Sequence, residues 1–272
     1  MPASIRLRML VADLDGTLLD PSGGLRPAVA AAVHRAIDRG VVVVLATARP
    51  PRSSAALRRE LRIDTPGIYY NGALVADPSG EILLHDPIPP AAAAKVIAAL
   101  VAEDPRAVVG LEILDRWYVN RPGAFDDVAT ARAGWEPDYV GPLDPCLATP
   151  VTKILAASPG RDCAKIEEAV AREAGDLVTA TRTDAWLLQV MHRGVTKSRA
   201  AALIAGRFGV EPGEVMALGD SWNDVDLVEW AGFGVAMGNS PEVLRQAADA
   251  VVESNAEDGA ARAVEKYLLG GA

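Results

Sequence analysis

Two aspartates separated by a single residue follow a short apolar segment near the N-terminus. Residues 8–12 are typical of a buried strand, and Asp13 and Asp15 come directly after it, followed by Gly16 and Thr17. Side chains two residues apart in an extended chain lie on the same side, and two carboxylates this close repel unless a cation or a proton holds them. The carboxyl end of a strand is also where open α/β sheets bind ligands. The pair therefore indicates cation-assisted chemistry, although an Asp-Gly turn with Thr17 as a helix N-cap remains open from these residues alone.

Other polar residues with chemical potential occur where further predicted strands end or helices begin. Thr47 follows the β-branched segment 41–46, and Lys197 stands at the start of a predicted helix over 198–208. Asp220 and Asn223 lie in the segment Gly-Asp-Ser-Trp-Asn-Asp, which follows a predicted strand over 215–218. Each signal is weak by itself. Together they form one catalytic inventory of carboxylates, a cation and a hydroxyl donor.

The composition is that of an ordinary globular protein with an acidic balance. The chain has 272 residues, of which 50% are hydrophobic and 23% charged, and its formal net charge is −9. Nucleic acids and anionic membranes favour a basic surface, so we expect neither as a partner. An anionic substrate would have to be attracted by a local device such as a metal ion, a lysine or a helix N-terminus.

The cysteine content and the hydropathy pattern favour a cytoplasmic protein. Cys146 and Cys163 are the two cysteines, too few and too far apart for a zinc cluster, and the chain has three histidines. No apolar segment approaches the length of a membrane span, and the N-terminus lacks the pattern of a signal peptide.

The order of predicted elements indicates two nested parts. Helices and strands alternate as far as residue 70, which is typical of a doubly wound parallel sheet, and this alternation resumes after residue 197. Between them lies a mixture of helices and alternating strands. We predict an α/β fold with a Rossmann-like core formed by residues 1–84 and 191–272 and an inserted α+β cap domain formed by residues 85–190. The predicted elements are strands at 8–12, 41–46, 67–70, 73–75, 82–84, 151–156, 185–190, 215–218, 233–236 and 250–252, and helices at 25–39, 50–61, 91–102, 163–174 and 198–208.

In these motifs the chain resembles the haloacid dehalogenase-like (HAD) superfamily, and within it the Cof-type (subfamily IIB) phosphatases, over essentially its whole length. The hexapeptide Asp-Leu-Asp-Gly-Thr-Leu at 13–18 matches the first motif of that family, Thr47 the second, Lys197 the third and the segment 219–224 the fourth. Residues 70–73 and 236–240 resemble two further Cof-type signatures.

The resemblance implies a mechanism for the first motif. Asp13 would be the nucleophile that forms an aspartyl-phosphate, and Asp15 the general acid that then becomes the base. Mg²⁺ is the implied cofactor, held by Asp13, the backbone carbonyl of Asp15 and Asp220.

The same resemblance implies the groups that bind the phosphoryl oxygens. Thr47 and Lys197 would donate to them, with assistance from the backbone amides of Leu14 and Gly16. Asn223 is predicted to bind phosphate as well, and whether Asn223 or Asp224 contacts the metal is left open.

Two spacings narrow the enzyme class. Thr47 follows Asp13 by 34 positions (47 − 13), which leaves no room for a cap domain there, whereas Lys197 follows Thr47 by 150 (197 − 47), which does. That placement is the C2 cap type of the Cof branch. Asp15 favours phosphoester chemistry, since dehalogenases and phosphonatases of the superfamily lack an aspartate at that position.

The function that these features predict is Mg²⁺-dependent hydrolysis of a small phosphate ester, with a sugar phosphate as the favoured substrate. Phosphomannomutase-like phosphoryl transfer and a non-enzymatic sugar-phosphate-binding regulator are the alternatives. We expect a monomer or a weak homodimer.

Several peripheral residues keep two interpretations. Asn71 would bind phosphate or substrate, or cap a loop. Asp224 would orient Lys197 or touch metal, and Asn239 is favoured as a loop-ordering residue. Trp222 is expected to pack against the core, and Arg49 to face solvent. Candidates for setting specificity in the cap, most of them expected to be packing or solvated, are Glu112, Trp117, Arg121, Trp186 and Gln189.

Overall fold

The computed structural model describes residues 7–123, 135–158 and 162–270. The chain divides into two compact units. Unit 1 contains residues up to 48, 54–83 and from 196 onward, and unit 2 contains 49–53 and 84–195. Unit 2 is thus inserted into unit 1 in sequence.

Unit 1 is built on a five-stranded parallel sheet with the strand order β14-β13-β12-β1-β2. Its strands are fully paired side by side, so that Ala12 at the end of β1 is level with Leu45 of β2 and Leu218 of β12. The three carboxyl ends therefore meet at one edge, and this places their following loops together. The strands are β1 (Met9–Ala12), β2 (Val42–Leu45), β12 (Val215–Gly219), β13 (Phe233–Ala236) and β14 (Ala250–Val251).

Apolar side chains bury both faces of this sheet, as expected for parallel strands. Leu10 and Ala12 belong to a core that includes Val33 and Ala36 of the first helix, while the alternate residue Val11 is equally buried on the other face. The helices associated with the five strands are α1 (Pro27–Asp38), α5 (Lys197–Arg207), α6 (Val225–Trp230), α7 (Glu242–Ala247) and α8 (Gly259–Ala263); α2 (Pro51–Glu60) begins in unit 2 and continues into unit 1.

The third predicted strand does not join the main sheet as a full member. β3 (Gly67–Tyr69) forms a separate three-stranded sheet with β4 (Leu74–Ala76) and β5 (Ile82–His85). Its link to β2 is a single parallel bridge between Ala46 and Ile68. A strand of three residues that immediately turns back as a hairpin has little length for a second ladder, which explains the difference.

Unit 2 contains a six-stranded sheet in the order β10-β11-β9-β6-β7-β8, with antiparallel pairing except between β7 and β8. Two helices, α3 (Pro90–Glu103) and α4 (Ala164–Ala174), bury their apolar faces in one core with alternate residues of the central strands. This arrangement is the predicted α+β insert. The strands are β6 (Val108–Ile113), β7 (Arg116–Val119), β8 (Tyr139–Val140), β9 (Lys153–Ala157), β10 (Val178–Asp184) and β11 (Leu187–His192).

In the part of the chain that the structure describes, the helices are too short or too polar for any of them to span a lipid bilayer.

Candidate active site

A buried ion triad lies at the carboxyl edge of the main sheet of unit 1. Lys197, the first residue of α5, places its Nζ 2.5 Å from Oδ1 of Asp13 and 2.6 Å from Oδ1 of Asp224. All three side chains are at most 8% exposed. A lysine donates three hydrogen bonds, so these two contacts hold the ammonium group against both carboxylates.

The triad changes the acidity of its members in a consistent way. Burial by itself would lower the pKa of Lys197, but the carboxylates of Asp13 and Asp224 outweigh it and raise that pKa. Burial raises the pKa of Asp13 well above its ordinary value, against the opposing effect of Lys197, and the charges of Asp224 and Asp220 add to this increase. Lys197 is therefore cationic, and the acidic side of the site carries more negative charge than one lysine balances.

Asp224 serves both the lysine and the loop that carries Asp220. Its Oδ2 accepts hydrogen bonds from the backbone amides of Asp220 and Ser221, at 3.1 and 3.0 Å. The chain passes so closely that a Cβ on Gly219 would lie 2.5 Å from the Cβ of Asp224. Of its two interpretations, the structure supports orientation of Lys197, because Oδ1 of Asp224 contacts the ammonium group directly.

The Asp220 carboxylate is held by two hydrogen bonds and a glycine. Its Oδ1 accepts from Thr17 Oγ1 at 2.8 Å and its Oδ2 from Asn239 Nδ2 at 3.3 Å. Gly16 lies against it with a φ of 86°, and a Cβ there would be 2.2 Å from Oδ2. Only glycine fits this position, since it tolerates both the left-handed backbone and the close approach.

Asn239 is itself fixed by a second asparagine. Its Nδ2 also donates to the carbonyl of Gly16 at 2.9 Å, and its Oδ1 accepts from the backbone amide of Asn255 at 3.1 Å. The buried side chain of Asn255 in turn donates to the carbonyl of Leu19 at 2.7 Å. Asn239 thus orders a loop, which is the interpretation that the sequence favours. Its hydrogen bond to Asp220 means that this loop also positions the Asp220 carboxylate.

The donor chemistry of the site fits a divalent cation of the Mg²⁺ type. Asp13, Asp220 and Asp224 each offer a carboxylate oxygen, and these oxygens all lie within 4.8 Å of one another. Hard cations prefer oxygen ligands. Burial raises the pKa of Asp220 from 3.8 to about 6, and the neighbouring charges of Asp224 and Asp15 add to the increase. The side chain of Asp15 is not among the three, and it is exposed.

The remaining predicted phosphate-binding residues lie in the segments that follow β1, β2 and β12. Thr47 is fully buried, and its amide donates to the carbonyl of Ile68 at 2.9 Å. Asn223 donates from Nδ2 to Oδ1 of Asn71 at 2.8 Å. Leu14 is fully buried, and its carbonyl accepts from the amides of Thr17 and Leu19 in the turn that carries the motif.

Two further predictions concern Trp222 and Thr17. The expectation that Trp222 packs against the core is wrong, because it is 68% exposed. Thr17 does not cap a helix: it lies in a turn, and its hydroxyl binds Asp220 instead. Sequence reasoning missed Asn255 altogether, since it lies outside the motifs and reaches the site through Asn239.

Unit 2 contains the candidate specificity residues and an ion cluster. Glu112 is 1% exposed and accepts two hydrogen bonds from Arg52, at 3.0 and 2.8 Å. Lys153 donates to Gln189 at 3.2 Å. Of the other candidates, Trp117 is buried, Trp186 is half-buried against an apolar cluster, and Arg121 is exposed and donates to the carbonyl of Pro105.

Comparison with known proteins agrees with this fold. The family model of haloacid dehalogenase-like hydrolases matches residues 10–264. The chain belongs to this family. Its Cof-type relationship and its enzyme class, HAD-type phosphatase, are also confirmed.

Among its relatives is a 5-amino-6-(5-phospho-D-ribitylamino)uracil phosphatase, YitU, of Bacillus subtilis, 27% identical over 96% of this chain and 97% of the relative. Phosphatase YwpJ of the same organism is 28% identical over 97% and 100%. A haloacid dehalogenase-like hydrolase from Bacteroides thetaiotaomicron has the same fold, with a TM-score of 0.85 and 24% identity over 96% of this chain and 99% of that structure. A HAD subclass IIB sugar phosphatase has a TM-score of 0.83 and 23% identity over 96% and 98%.

Proposed function

We propose that the protein is a Mg²⁺-dependent phosphomonoester hydrolase that acts on a small phosphorylated metabolite through an aspartyl-phosphate on Asp13. The observation that carries the proposal is the buried contact of Asp13 with Lys197 beside the carboxylate of Asp220. A carboxylate nucleophile next to a fixed cation is suited to attack a phosphoryl group, because the cation attracts the anion and stabilises the charge of the transition state.

In the first step, Asp13 attacks phosphorus, and the bond from phosphorus to the ester oxygen breaks. Asp15 gives a proton to that leaving oxygen, so that an alcohol departs and the phosphoryl group is bound to Asp13. In the second step, Asp15 takes a proton from water, whose oxygen attacks phosphorus. The bond from phosphorus to Asp13 breaks, inorganic phosphate is released, and the free carboxylate of Asp13 is regenerated.

The other residues of the proposed site bind and orient. Thr47 and Lys197 donate to phosphoryl oxygens, with the amides of Leu14 and Gly16 and the side chain of Asn223. Asp13, Asp220 and the backbone carbonyl of Asp15 would hold Mg²⁺, which when bound offsets the repulsion between carboxylates and phosphate.

The substrate class we propose is a phosphorylated sugar or sugar-like polyol. The name of the relative YitU, a phosphatase for a phosphoribitylamino compound, supports that choice, as does the sugar phosphatase among the structural neighbours. A cytoplasmic location accords with the two free thiols of Cys146 and Cys163.

The test is release of phosphate from p-nitrophenyl phosphate and a panel of hexose, pentose and ribityl phosphates by the purified protein. We expect hydrolysis with Mg²⁺, loss of it in EDTA, and loss of it in Asp13→Asn. The exposed Asp64 provides a matched control, Asp64→Asn, which removes one carboxylate elsewhere on unit 1 and retains activity.

Acid quenching during turnover followed by peptide mass spectrometry locates the phosphoryl group. We expect it on the peptide that contains Asp13. A wild-type protein that hydrolyses no ester of the panel with Mg²⁺, or one in which Asp13→Asn stays active, would overturn the proposal.

A further inference from the structure

The turn between β3 and β4 holds two consecutive residues in a left-handed backbone conformation. The φ angles are 51° for Tyr70 and 56° for Asn71. Residues other than glycine seldom adopt this conformation, and adjacent instances persist only where surrounding structure enforces them. Tyr70 is fully buried, which anchors the turn. Strain of this kind concentrates at functional sites, and the contacts of the turn show which residues enforce it.

Those contacts go to three of the predicted phosphate-binding motifs. The amide of Asn71 donates to the carbonyl of Thr47 at 2.9 Å. The next residue, Gly72, lies against the residue before Lys197, and a Cβ there would be 2.2 Å from the carbonyl oxygen of Thr196. Asn223 donates to Oδ1 of Asn71 at 2.8 Å. The Asn71 carboxamide is therefore fixed at the place where Thr47, α5 and the fourth motif converge.

The bond from Asn223 also decides which part of the carboxamide is left to bind a ligand. It uses the acceptor Oδ1, and Nδ2 carries two N–H donors. Among the residues that the structure describes, no acceptor bonds this Nδ2. A pre-oriented amide donor beside the threonine and lysine of a phosphate site matches the oxygens of a phosphoryl group.

We propose that Asn71 is a phosphate-binding residue, whose Nδ2 donates to a phosphoryl oxygen of the substrate. The inference rests on the proposed function for the identity of the ligand. The competing explanation is that Asn71 only braces the loop through Asn223.

Two variants separate these explanations. Asn71→Asp keeps an acceptor for Asn223 and tolerates the left-handed backbone, so it preserves the brace, but it replaces the donor with a carboxylate oxygen. Asn71→Gly adds no charge and relieves the strained φ, but it removes the donor and the brace together. Loss of the donor is the change that the two variants share.

The measurement is the affinity for inorganic phosphate, by calorimetric titration in Mg²⁺, together with KM and kcat for p-nitrophenyl phosphate. A hydrogen bond to a charged group corresponds to a loss of affinity between about 10-fold and 150-fold. We expect both variants to lose phosphate affinity by at least about 10-fold on this scale.

A folded Asn71→Asp protein with wild-type phosphate affinity would show that Asn71 only holds the loop through Asn223. Loss of phosphate affinity in Asn71→Gly but not in Asn71→Asp would show the same. The proposed function can fail independently of this inference. A wild-type protein that binds phosphate through Asn71 but hydrolyses no ester would overturn the proposed hydrolase activity and support Asn71 as a phosphate-binding residue. If the wild type hydrolyses esters but its phosphate affinity does not depend on Asn71, the hydrolase activity stands and the role of Asn71 is overturned.

Discussion

Replacing the buried carboxylate of Asp220 by its neutral amide should stabilise the metal-free protein. Burial raises the pKa of Asp220 from 3.8 to about 6, with contributions from the charges of Asp224 and Asp15 that exceed the opposing effect of Lys197. One pKa unit corresponds to about 1.4 kcal/mol, so the ionised carboxylate costs about 3 kcal/mol of folding free energy at neutral pH. Asp220→Asn also weakens the hydrogen bond from Thr17, which costs about 1 kcal/mol. The expected net gain is about 2 kcal/mol.

The pH dependence follows from the direction of the shift. Because the pKa of Asp220 is higher in the folded than in the unfolded state, its destabilising effect is fully present above about pH 6 and disappears as the pH falls below about 4. The advantage of Asp220→Asn should therefore be present at about pH 7.5 and nearly absent at about pH 4.

The assay is urea unfolding in EDTA at both pH values, with Asp64→Asn as the control for the loss of one charge. Adding Mg²⁺ should then stabilise the wild type and leave Asp220→Asn unchanged, since a ligand that binds only the folded state stabilises it. If Asp220→Asn unfolds at a lower urea concentration than the wild type in EDTA at about pH 7.5, the electrostatic reasoning is refuted.

Three other substitutions test the metal site, the turn between β3 and β4, and a buried lysine of unit 2. Asn239→Ala removes the hydrogen bond to Asp220 and should weaken Mg²⁺ binding by about 10- to 100-fold in a calorimetric titration, and unchanged affinity would rule out a positioning role. Gly72→Ala introduces a Cβ 2.2 Å from the carbonyl of Thr196 at a φ of 106°, so it should destabilise the fold by about 3 kcal/mol or more, measured by urea unfolding. In unit 2, burial lowers the pKa of Lys153 from 10.5 to about 8, so its cation is destabilising below pH 8. Lys153→Met should accordingly raise the free energy of unfolding by about 1–3 kcal/mol at about pH 7, and the gain should shrink as the pH rises toward 10, whereas a loss at pH 7 would contradict it.

The sequence located the site because its chemistry follows the strand ends. Asp13, Thr47 and Asp220 come after β1, β2 and β12, and in-register parallel pairing brings those ends together. A periodic apolar pattern predicts that placement without knowledge of any side-chain contact.

What the sequence did not reveal depends on contacts between distant residues. Thr17 binds a carboxylate 203 positions away, and Asn255 reaches the carbonyl of Leu19 across 236. A threonine after glycine and an asparagine in a loop have many local interpretations, and only the folded chain chooses among them. Likewise, no local pattern distinguishes Arg52, on the first turn of α2, as the partner of buried Glu112.

The site in unit 1 brings three carboxylates together with Lys197, and this balance of charge favours the binding of a cation. Asp224 commits its carboxylate oxygens to Lys197 and to backbone amides, so it fixes the lysine and the loop. Lys197 then faces more than one carboxylate, and burial raises the pKa of Asp13 and of Asp220, with the charge of Asp224 adding to both increases. Since all these groups belong to unit 1, substitutions of Glu112 or Gln189 in unit 2 should leave its metal affinity unchanged, whatever they do to the choice of ester.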